Sequence, residues 1–145
     1  MTNKVKFEFA AIPENAALAR VVVAAFITPL DPSVGEISDI KTAVSEAVTN
    51  AIIHGYNGNG NGNETAVTIS MHNVSRQIHI EVSDSGVGIE NIASAMEPLF
   101  TTKPEMERSG LGFTVMESFM DTVEVTSRPN EGTTIKMVKQ LAGER

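Results

Sequence analysis

The sequence predicts an α+β fold, a two-layer sandwich with helices on one face of a mixed, mostly antiparallel sheet. Two observations carry this prediction: helical periodicity clusters early in the chain, and the strand-like segments lie next to one another in pairs. Neighbouring strands joined by short turns form antiparallel hairpins, whereas a parallel doubly wound sheet needs strands and helices to alternate. The length of 145 residues suits one domain, residues 1–145, whose core needs no disulfide.

The first half of the chain predicts a strand and two helices. Apolar and charged residues alternate over residues 4–9, which indicates a half-buried strand. A helix is predicted over residues 14–30, directly after Pro13. A second helix is predicted over residues 33–54, because apolar residues recur there at helical spacing and Gly55 follows as a stop.

The second half predicts two pairs of strands with a helix between them. An asparagine- and glycine-rich segment, residues 57–63, is predicted to be an exposed loop. The elements predicted after it are strands at residues 65–71 and 77–83, a loop-rich stretch with a short helix near 91–95, a helix over 111–120, and two closing strands about a turn at 129–132. Each strand pair is local in sequence, which favours an antiparallel sheet.

Composition and charge argue against several classes of function. The chain has 18 acidic and 11 basic residues, a formal charge of -7, whereas proteins that bind nucleic acid present a basic face. It has no cysteine, so thiolate zinc sites are excluded, and His54, His72 and His79 lack a metal-ligand spacing. Residues 1–10 are unlike a signal peptide, and the longest apolar run, residues 21–27, is too short to cross a bilayer. The composition therefore predicts a cytoplasmic protein with no direct nucleic-acid or membrane partner.

Glu46 and Asn50 form the first candidate site. They are four residues apart, so on the predicted helix they project from one face, one turn from each other. Carboxylate and amide oxygens are hard ligands suited to Mg²⁺ and its waters. Most such pairs are solvent-exposed, but residues 42–51 are otherwise small and apolar, so a carboxylate there needs a partner. A bound Mg²⁺ would supply one.

Asp84 begins the second candidate site. It follows an alternating apolar run and precedes Gly86 and Gly88, so it lies where a strand ends and the backbone turns or comes close to a ligand. An acceptor at this place can read an adenine amino group. An ordinary turn is the alternative interpretation, since turns favour Asp, Ser and Gly, although two glycines are more than a tight turn requires.

The segment Gly110-Leu111-Gly112-Phe113 opens a predicted helix and forms the third candidate site. Free N–H groups at a helix start can bind phosphate, and Lys103 and Arg108 stand just before it; a flexible joint is the alternative. The chain has neither a Walker-type P-loop motif nor a full Gly-x-Gly-x-x-Gly, so those nucleotide folds are disfavoured. Together, the three segments suit binding of ATP and Mg²⁺.

The order of these segments resembles the ATPase superfamily that groups gyrase, Hsp90, histidine kinases and MutL, over most of the chain. Within it, residues 45–56, 98–104 and 107–110 look like the anti-sigma F factors, serine protein kinases of bacterial sporulation. The resemblance implies the Bergerat ATP-binding fold, ATP and Mg²⁺ as cofactors, and a homodimer. It also implies that the ATP-loaded protein binds and inhibits a sigma F-type sigma factor and phosphorylates a serine of an anti-anti-sigma protein.

The same resemblance implies roles for individual residues. Glu46 would be the catalytic base that orients the serine hydroxyl, Asn50 the Mg²⁺ ligand and Asp84 the adenine reader. Arg20 would contact the protein partners, and residues 98–109 would form a phosphate lid. The other nucleotide-binding residues that the resemblance implies are Gly86, Gly88, Thr101, Thr102, Lys103, Arg108, Ser109, Gly110, Leu111, Gly112, Phe113 and Thr133.

The chain departs from the family pattern at two places. Ser83 stands where the family tends to carry a basic residue, and the loop at residues 57–63 is longer than usual. Two other functions stay open: an ATP-gated binding module without catalysis, and the ATPase module of a sensor histidine kinase. The latter needs a phospho-acceptor histidine in a dimerising helix, for which the sequence has no spare segment.

Overall fold

The computed structural model describes residues 2–55, 66–86 and 112–143. The helices and strands in these ranges are β1 (Lys4–Ala10), α1 (Asn15–Ile27), a 3₁₀ turn (Thr28–Leu30), α2 (Val34–Asn50), a π-helical turn (Ala51–Gly55), β2 (Ala66–Val74), β3 (Gln77–Asp84), α3 (Gly112–Phe119), β4 (Thr122–Arg128) and β5 (Gly132–Gln140). No helix in the described part of the chain is long and apolar enough to span a membrane. The predicted loop at 57–63 and short helix near 91–95 lie outside the described residues.

The described strands form one five-stranded sheet in the order β1-β2-β3-β5-β4. The hairpins β2–β3 and β4–β5 confirm the two predicted pairs, and β3 pairs with β5 at the centre. Every pair is antiparallel, so the mixed character expected from the sequence does not occur in these strands. The reason is that two helices, not one, separate β1 from β2, so the chain returns to the end of the sheet that it left.

The two early helices confirm the predicted ones with different bounds. α1 ends at Ile27, and Pro29 lies in the 3₁₀ turn that follows it. α2 begins after a capping box in which Ser33 Oγ accepts from Glu36 N at 3.0 Å and Glu36 Oε1 accepts from Ser33 N at 2.8 Å. The predicted last turn of α2 is π-helical over Ala51–Gly55, a wider turn than an α-helix makes.

The core lies between the sheet and the helices. Side chains on β2 and β3 alternate between buried and accessible positions, which confirms that one face of the sheet is covered. α2 packs against both α1 and α3 and therefore lies centrally in the helical layer. The core cluster contains apolar side chains of α2 and of the sheet that are at most 1% exposed, among them Ile40, Val44, Val48, Ile69, Ile80 and Met137.

Polar contacts at one end of the sheet fix the direction of α2. This end, called the Arg76 end, contains the β2–β3 turn and the segment after β5. Glu36 Oε2 accepts from Ala142 N at 2.8 Å, and Asp39 Oδ2 lies 3.6 Å from Lys139 Nζ. Residue 36 contacts residue 142, and residue 39 contacts residue 139. Residue numbers thus rise along α2 while they fall along its contacts with β5 and the segment after it, so α2 and β5 run antiparallel. α2 therefore begins at the Arg76 end and leads away from it.

The other two helices run opposite to α2. Lys139 Nζ donates to the carbonyl oxygen of Phe119 at 2.7 Å, so α3 finishes near the Arg76 end. Asn15 Nδ2 donates to Ala10 O at 2.8 Å, which places the start of α1 beside the end of β1. The opposite end of the sheet, called the Asp84 end, thus collects the end of α2, the start of α3 and the end of β3.

Candidate functional site

α2 carries Glu46 and Asn50 to the Asp84 end. Its 17 residues span ~25 Å at 1.5 Å per residue, and the nine residues of β5 span ~30 Å. Since the two run antiparallel from their contacts at the Arg76 end, the last turn of α2 comes level with the start of β5. The π-helical turn that follows packs against both β3 and β5. Glu46 and Asn50, which their spacing placed on one helix face, therefore lie in the same region as Asp84.

Asp84 is the last residue of β3 and pairs with Thr133 of β5 on the helix-covered face. Burial raises the pKa of Asp84 above its ordinary value, although the backbone N–H groups of Gly86 and Thr133, which bond to its carboxylate, act in the opposite direction. The Gly86 N to Asp84 Oδ1 distance is 2.9 Å. A half-buried carboxylate whose charge is disfavoured gains from a further donor, and an exocyclic amino group is such a donor.

Both interpretations of the glycines after Asp84 apply in part. The bond from Gly86 to Asp84 closes an Asx-type turn, so Gly86 serves the ordinary turn; Gly88 lies outside the described residues. The close backbone approach comes instead from Gly132, which the sequence analysis did not single out. Gly132 has φ +98°, and a Cβ there would collide with the carbonyl oxygen of Asp84. The sequence signal for this glycine was its place at the end of the predicted turn, two residues after Asn130. In the structure Asn130 also has a positive φ, 64°.

Thr133 is buried, with 8% of its surface exposed, and lies between Asp84 and Ser127 in the sheet register. Its Oγ1 is 2.8 Å from Ser127 Oγ, and Ser127 Oγ donates to Gly132 O at 3.0 Å. The structure therefore places Thr133 beside Asp84, and its predicted contact with the nucleotide stays a prediction. Ser127 was missed, because only the β4–β5 register brings it to this place.

Asn50 has unused hydrogen-bonding capacity. Its Nδ2 atom is buried and has no hydrogen-bond partner among the described residues. Leaving a buried amide unpaired costs about 1–3 kcal/mol, so a ligand that engages the side chain would recover that loss. The amide oxygen and nitrogen are distinguished only by their surroundings, so the same position also suits a cation bound through oxygen. Mg²⁺ would bind through the amide oxygen, so the role of Asn50 as Mg²⁺ ligand stays a prediction.

In the described ranges no three His, Asp or Glu side chains lie together in an arrangement that could hold a metal ion. Mg²⁺ on a nucleotide usually takes several ligands from phosphates and water, so a site that relies on Asn50 does not need such a cluster. Glu46 lies one turn before Asn50, is half-buried and makes an interaction within the protein. It is thus held in place on a rigid helix beside this position.

α3 begins toward the Asp84 end with buried Gly112 and half-buried Phe113. The first N–H groups of a helix point out of its start, so those of α3 point toward the Asp84 end, where an anion would gain from them. The other predicted phosphate-binding residues lie outside the described ranges and stay predictions, namely Gly88, Thr101, Thr102, Lys103, Arg108, Ser109, Gly110 and Leu111.

Arg20 does not extend freely from α1. Its Nη1 donates to Ser45 Oγ at 2.9 Å, and the side chain is half-buried. Ser45 directly precedes Glu46, so Arg20 links α1 to the turn of α2 that carries the predicted base. The predicted contact of Arg20 with protein partners stays a prediction.

Comparison with known proteins identifies the family of the chain. A model of the histidine kinase-like ATPase domain matches residues 9–139. The chain is 56% identical over 142 residues to an anti-sigma F factor of Clostridium perfringens, covering 97% of this chain and 99% of that protein. It is 52% identical over 141 residues to an anti-sigma F factor of Anoxybacillus flavithermus, covering 97% and 94% of the two chains.

Solved structures support the same fold. The RsbU and RsbW domains of Rv1364c from Mycobacterium tuberculosis align with a TM-score of 0.67 at 17% identity, over 98% of this chain and 33% of that one. The catalytic domain of the histidine kinase ThkA aligns with a TM-score of 0.57 at 18% identity, over 96% of each chain. The chain therefore belongs to the histidine kinase-like ATPase domain family and, within it, to the anti-sigma F factors.

Proposed function

We propose that the protein is an anti-sigma factor and an ATP-dependent protein serine kinase. In the ATP state it binds and inhibits a sigma F-type sigma factor, and it transfers phosphate to a serine of an anti-anti-sigma protein. The observation that carries this proposal is the convergence of Glu46 and Asn50, from α2, with Asp84 and Thr133, from β3 and β5, at one end of the sheet. The names of the relatives supply the partner class.

The residues divide the work of an in-line phosphoryl transfer. Asp84 receives the amino group of the base, and the start of α3 faces the phosphates. Asn50 would hold the nucleotide's Mg²⁺, which would supply charge neutralisation at the transferred group. Glu46 accepts the proton of the attacking serine hydroxyl. α2 carries both Glu46 and Asn50, so their separation is fixed by one helical turn.

The decisive test is transfer from γ-labelled ATP, in the presence of Mg²⁺, to a candidate anti-anti-sigma protein. We expect acid-stable label on a serine of that protein, lost when EDTA is added. Partner binding that depends on ATP but yields no label would support the ATP-gated binding module instead. Acid-labile label on a histidine would support the histidine kinase module, the function of one structural neighbour.

Arg20 provides a test of the partner surface with a matched control. Charge reversal by Arg20→Glu should weaken binding to the sigma factor or the anti-anti-sigma protein while ATP binding stays near normal. The substitution also breaks the bond to Ser45, so Ser45→Ala, which breaks that bond and leaves Arg20 in place, is the control. Equal loss in both variants would assign the effect to the α1–α2 link and not to partner contact.

We further propose a homodimer and a cytoplasmic location, the latter because a sigma factor acts where transcription occurs. Light scattering behind a sizing column measures the oligomeric state directly. A mass of twice 15.5 kDa is expected, with and without nucleotide. A single-chain mass at micromolar concentration in both conditions would contradict the dimer.

A further inference from the structure

Three polar side chains line up across the strands at the Asp84 end. Asp84 of β3, Thr133 of β5 and Ser127 of β4 occupy one row of the register on the helix-covered face. Thr133 Oγ1 is 2.8 Å from Ser127 Oγ, and Ser127 Oγ is 3.0 Å from the carbonyl oxygen of Gly132. Ser127 is thus two steps along the row from the carboxylate that the proposed function assigns to the base.

The direction of hydrogen bonding along this row follows from counting protons. A carbonyl oxygen only accepts, so the contact with Gly132 uses the single hydroxyl hydrogen of Ser127. The contact between the two hydroxyls then needs the hydrogen of Thr133. Once its hydrogen is committed to Ser127, the Thr133 hydroxyl presents lone pairs alone to a ligand. Its backbone N–H is meanwhile directed to Asp84.

We propose that Ser127 is a positioning residue that makes the site selective for a purine with an amino group at position 6. With Thr133 held as an acceptor, both Thr133 and Asp84 offer acceptors beside the base. The 6-amino group of adenine supplies donors to such a site, whereas hypoxanthine presents an oxygen there and leaves an acceptor facing an acceptor. Selectivity of this kind follows from unpaired groups in the rejected complex.

This inference rests on the proposed binding of ATP. It extends that proposal by naming a residue that touches no part of the nucleotide and acts through Thr133. Removing the Ser127 hydroxyl frees the Thr133 hydroxyl to rotate. It can then donate to the 6-oxo group of hypoxanthine, so the inosine nucleotide gains a partner that the unmutated protein denies it.

The experiment measures the affinities of ATP and of inosine triphosphate, each with Mg²⁺, by calorimetry in the absence of a protein partner. The unmutated protein should prefer ATP. In Ser127→Ala the preference should fall by about tenfold, mainly through tighter binding of inosine triphosphate, since one hydrogen bond to a buried group changes affinity by about that factor. Ser127→Thr, which keeps a hydroxyl, should restore the preference, and thermal melts confirm that each variant is folded.

A matched control lies on the other face of the same strands. Thr134 Oγ1 and Ser83 Oγ are 3.0 Å apart, and Thr134→Val removes one of these hydroxyls and breaks an equivalent contact that faces away from the helices. This variant should keep the full preference for ATP. An unchanged preference in folded Ser127→Ala, with ATP bound normally by the unmutated protein, overturns the role of Ser127 alone. Failure of the unmutated protein to bind ATP overturns the proposed function together with this inference.

Discussion

The two ends of the sheet use their polar side chains differently. At the Arg76 end, polar groups bond mainly to other parts of the protein. Arg76 Nη1 donates to Leu30 O and its Nε to Ala142 O, both at 2.6 Å, while Glu36 caps α2 and also receives the Ala142 N–H. These bonds join the β2–β3 turn, the end of the 3₁₀ turn, the start of α2 and the segment after β5. The polar side chains at this end therefore stabilise the fold.

At the Asp84 end, by contrast, polar side chains lie close together, and some of their hydrogen-bonding capacity is unused within the described residues. Asn50 Nδ2 is buried with no partner among the described residues, and burial raises the pKa of Asp84. The contrast is not complete, because Arg76 Nη2 is likewise buried and unpaired within the described ranges. The difference teaches that this fold concentrates stabilising polar bonds at one end and leaves binding capacity at the other.

The largest effect should come from Glu46→Gln at the Asp84 end. The substitution keeps the size of the side chain and removes its ability to accept a proton, so phosphoryl transfer should fall by roughly 100-fold or more. ATP affinity should change little. Single-turnover transfer and calorimetry measure the two quantities separately. Transfer within a few-fold of normal would rule Glu46 out as the base.

The Arg76 end should respond in stability and not in binding. Arg76→Gln removes the charged donors to Leu30 and Ala142, and we expect the free energy of unfolding to fall by about 2 kcal/mol. Arg128→Gln, at an exposed arginine of β4, is the control and should shift it by less than about 0.5 kcal/mol. Urea denaturation gives both values. A loss of ATP affinity in folded Arg76→Gln would break the division between the two ends.

Asp84→Asn should have the opposite effect to Arg76→Gln, since it should weaken ATP binding and leave the fold intact. It replaces an acceptor oxygen with a donor that faces the adenine amino group, so ATP affinity should fall by about tenfold or more. The variant should remain folded, because a half-buried carboxylate is replaced by a neutral group of the same shape. Calorimetry with ATP measures the affinity, and an unchanged value would remove Asp84 from the base-binding role.

The smallest effect is a pH dependence of stability that stems from Asp84. Because burial raises its pKa in the folded state, the folded protein holds this proton more tightly than the unfolded chain. The associated stability is fully present below the unfolded pKa of 3.8 and is lost as the pH rises through the raised folded value. The stability of the unmutated protein relative to Asp84→Asn should therefore decrease with rising pH in that interval. A difference that is flat with pH in urea titrations would contradict the raised pKa.

Local patterns were enough to predict most of the described fold. Strand alternation in β1, β2 and β3 and helical spacing in α2 are set by which side chains face the core, and this information lies within short windows of sequence. The π-helical turn after Asn50 was not predictable in this way, because the apolar residues Ala51 and Ile52 continue the same buried face. The wider turn changes the backbone and leaves the pattern intact.

The candidate site likewise has residues that local sequence patterns predicted and residues that only the strand registers bring together. Glu46 and Asn50 were paired correctly on one helix because a separation of four residues fixes their geometry locally. Ser127 and Gly132 were missed because their proximity to Asp84 depends on the registers of β4–β5 and β3–β5, which no short window contains. The roles of individual residues came from the family resemblance and not from spacing.

The seam between β3 and β5 also bears on how the protein folds. β2–β3 and β4–β5 are local hairpins that can form early, whereas β3 meets β5 only after the chain between residues 84 and 132 has closed into a loop. Asp84 and Thr133 lie at the end of this long-range strand pairing. A nucleotide held there would stabilise these long-range contacts, so ATP should slow global unfolding, and amide exchange along β3 and β5 should report its occupancy.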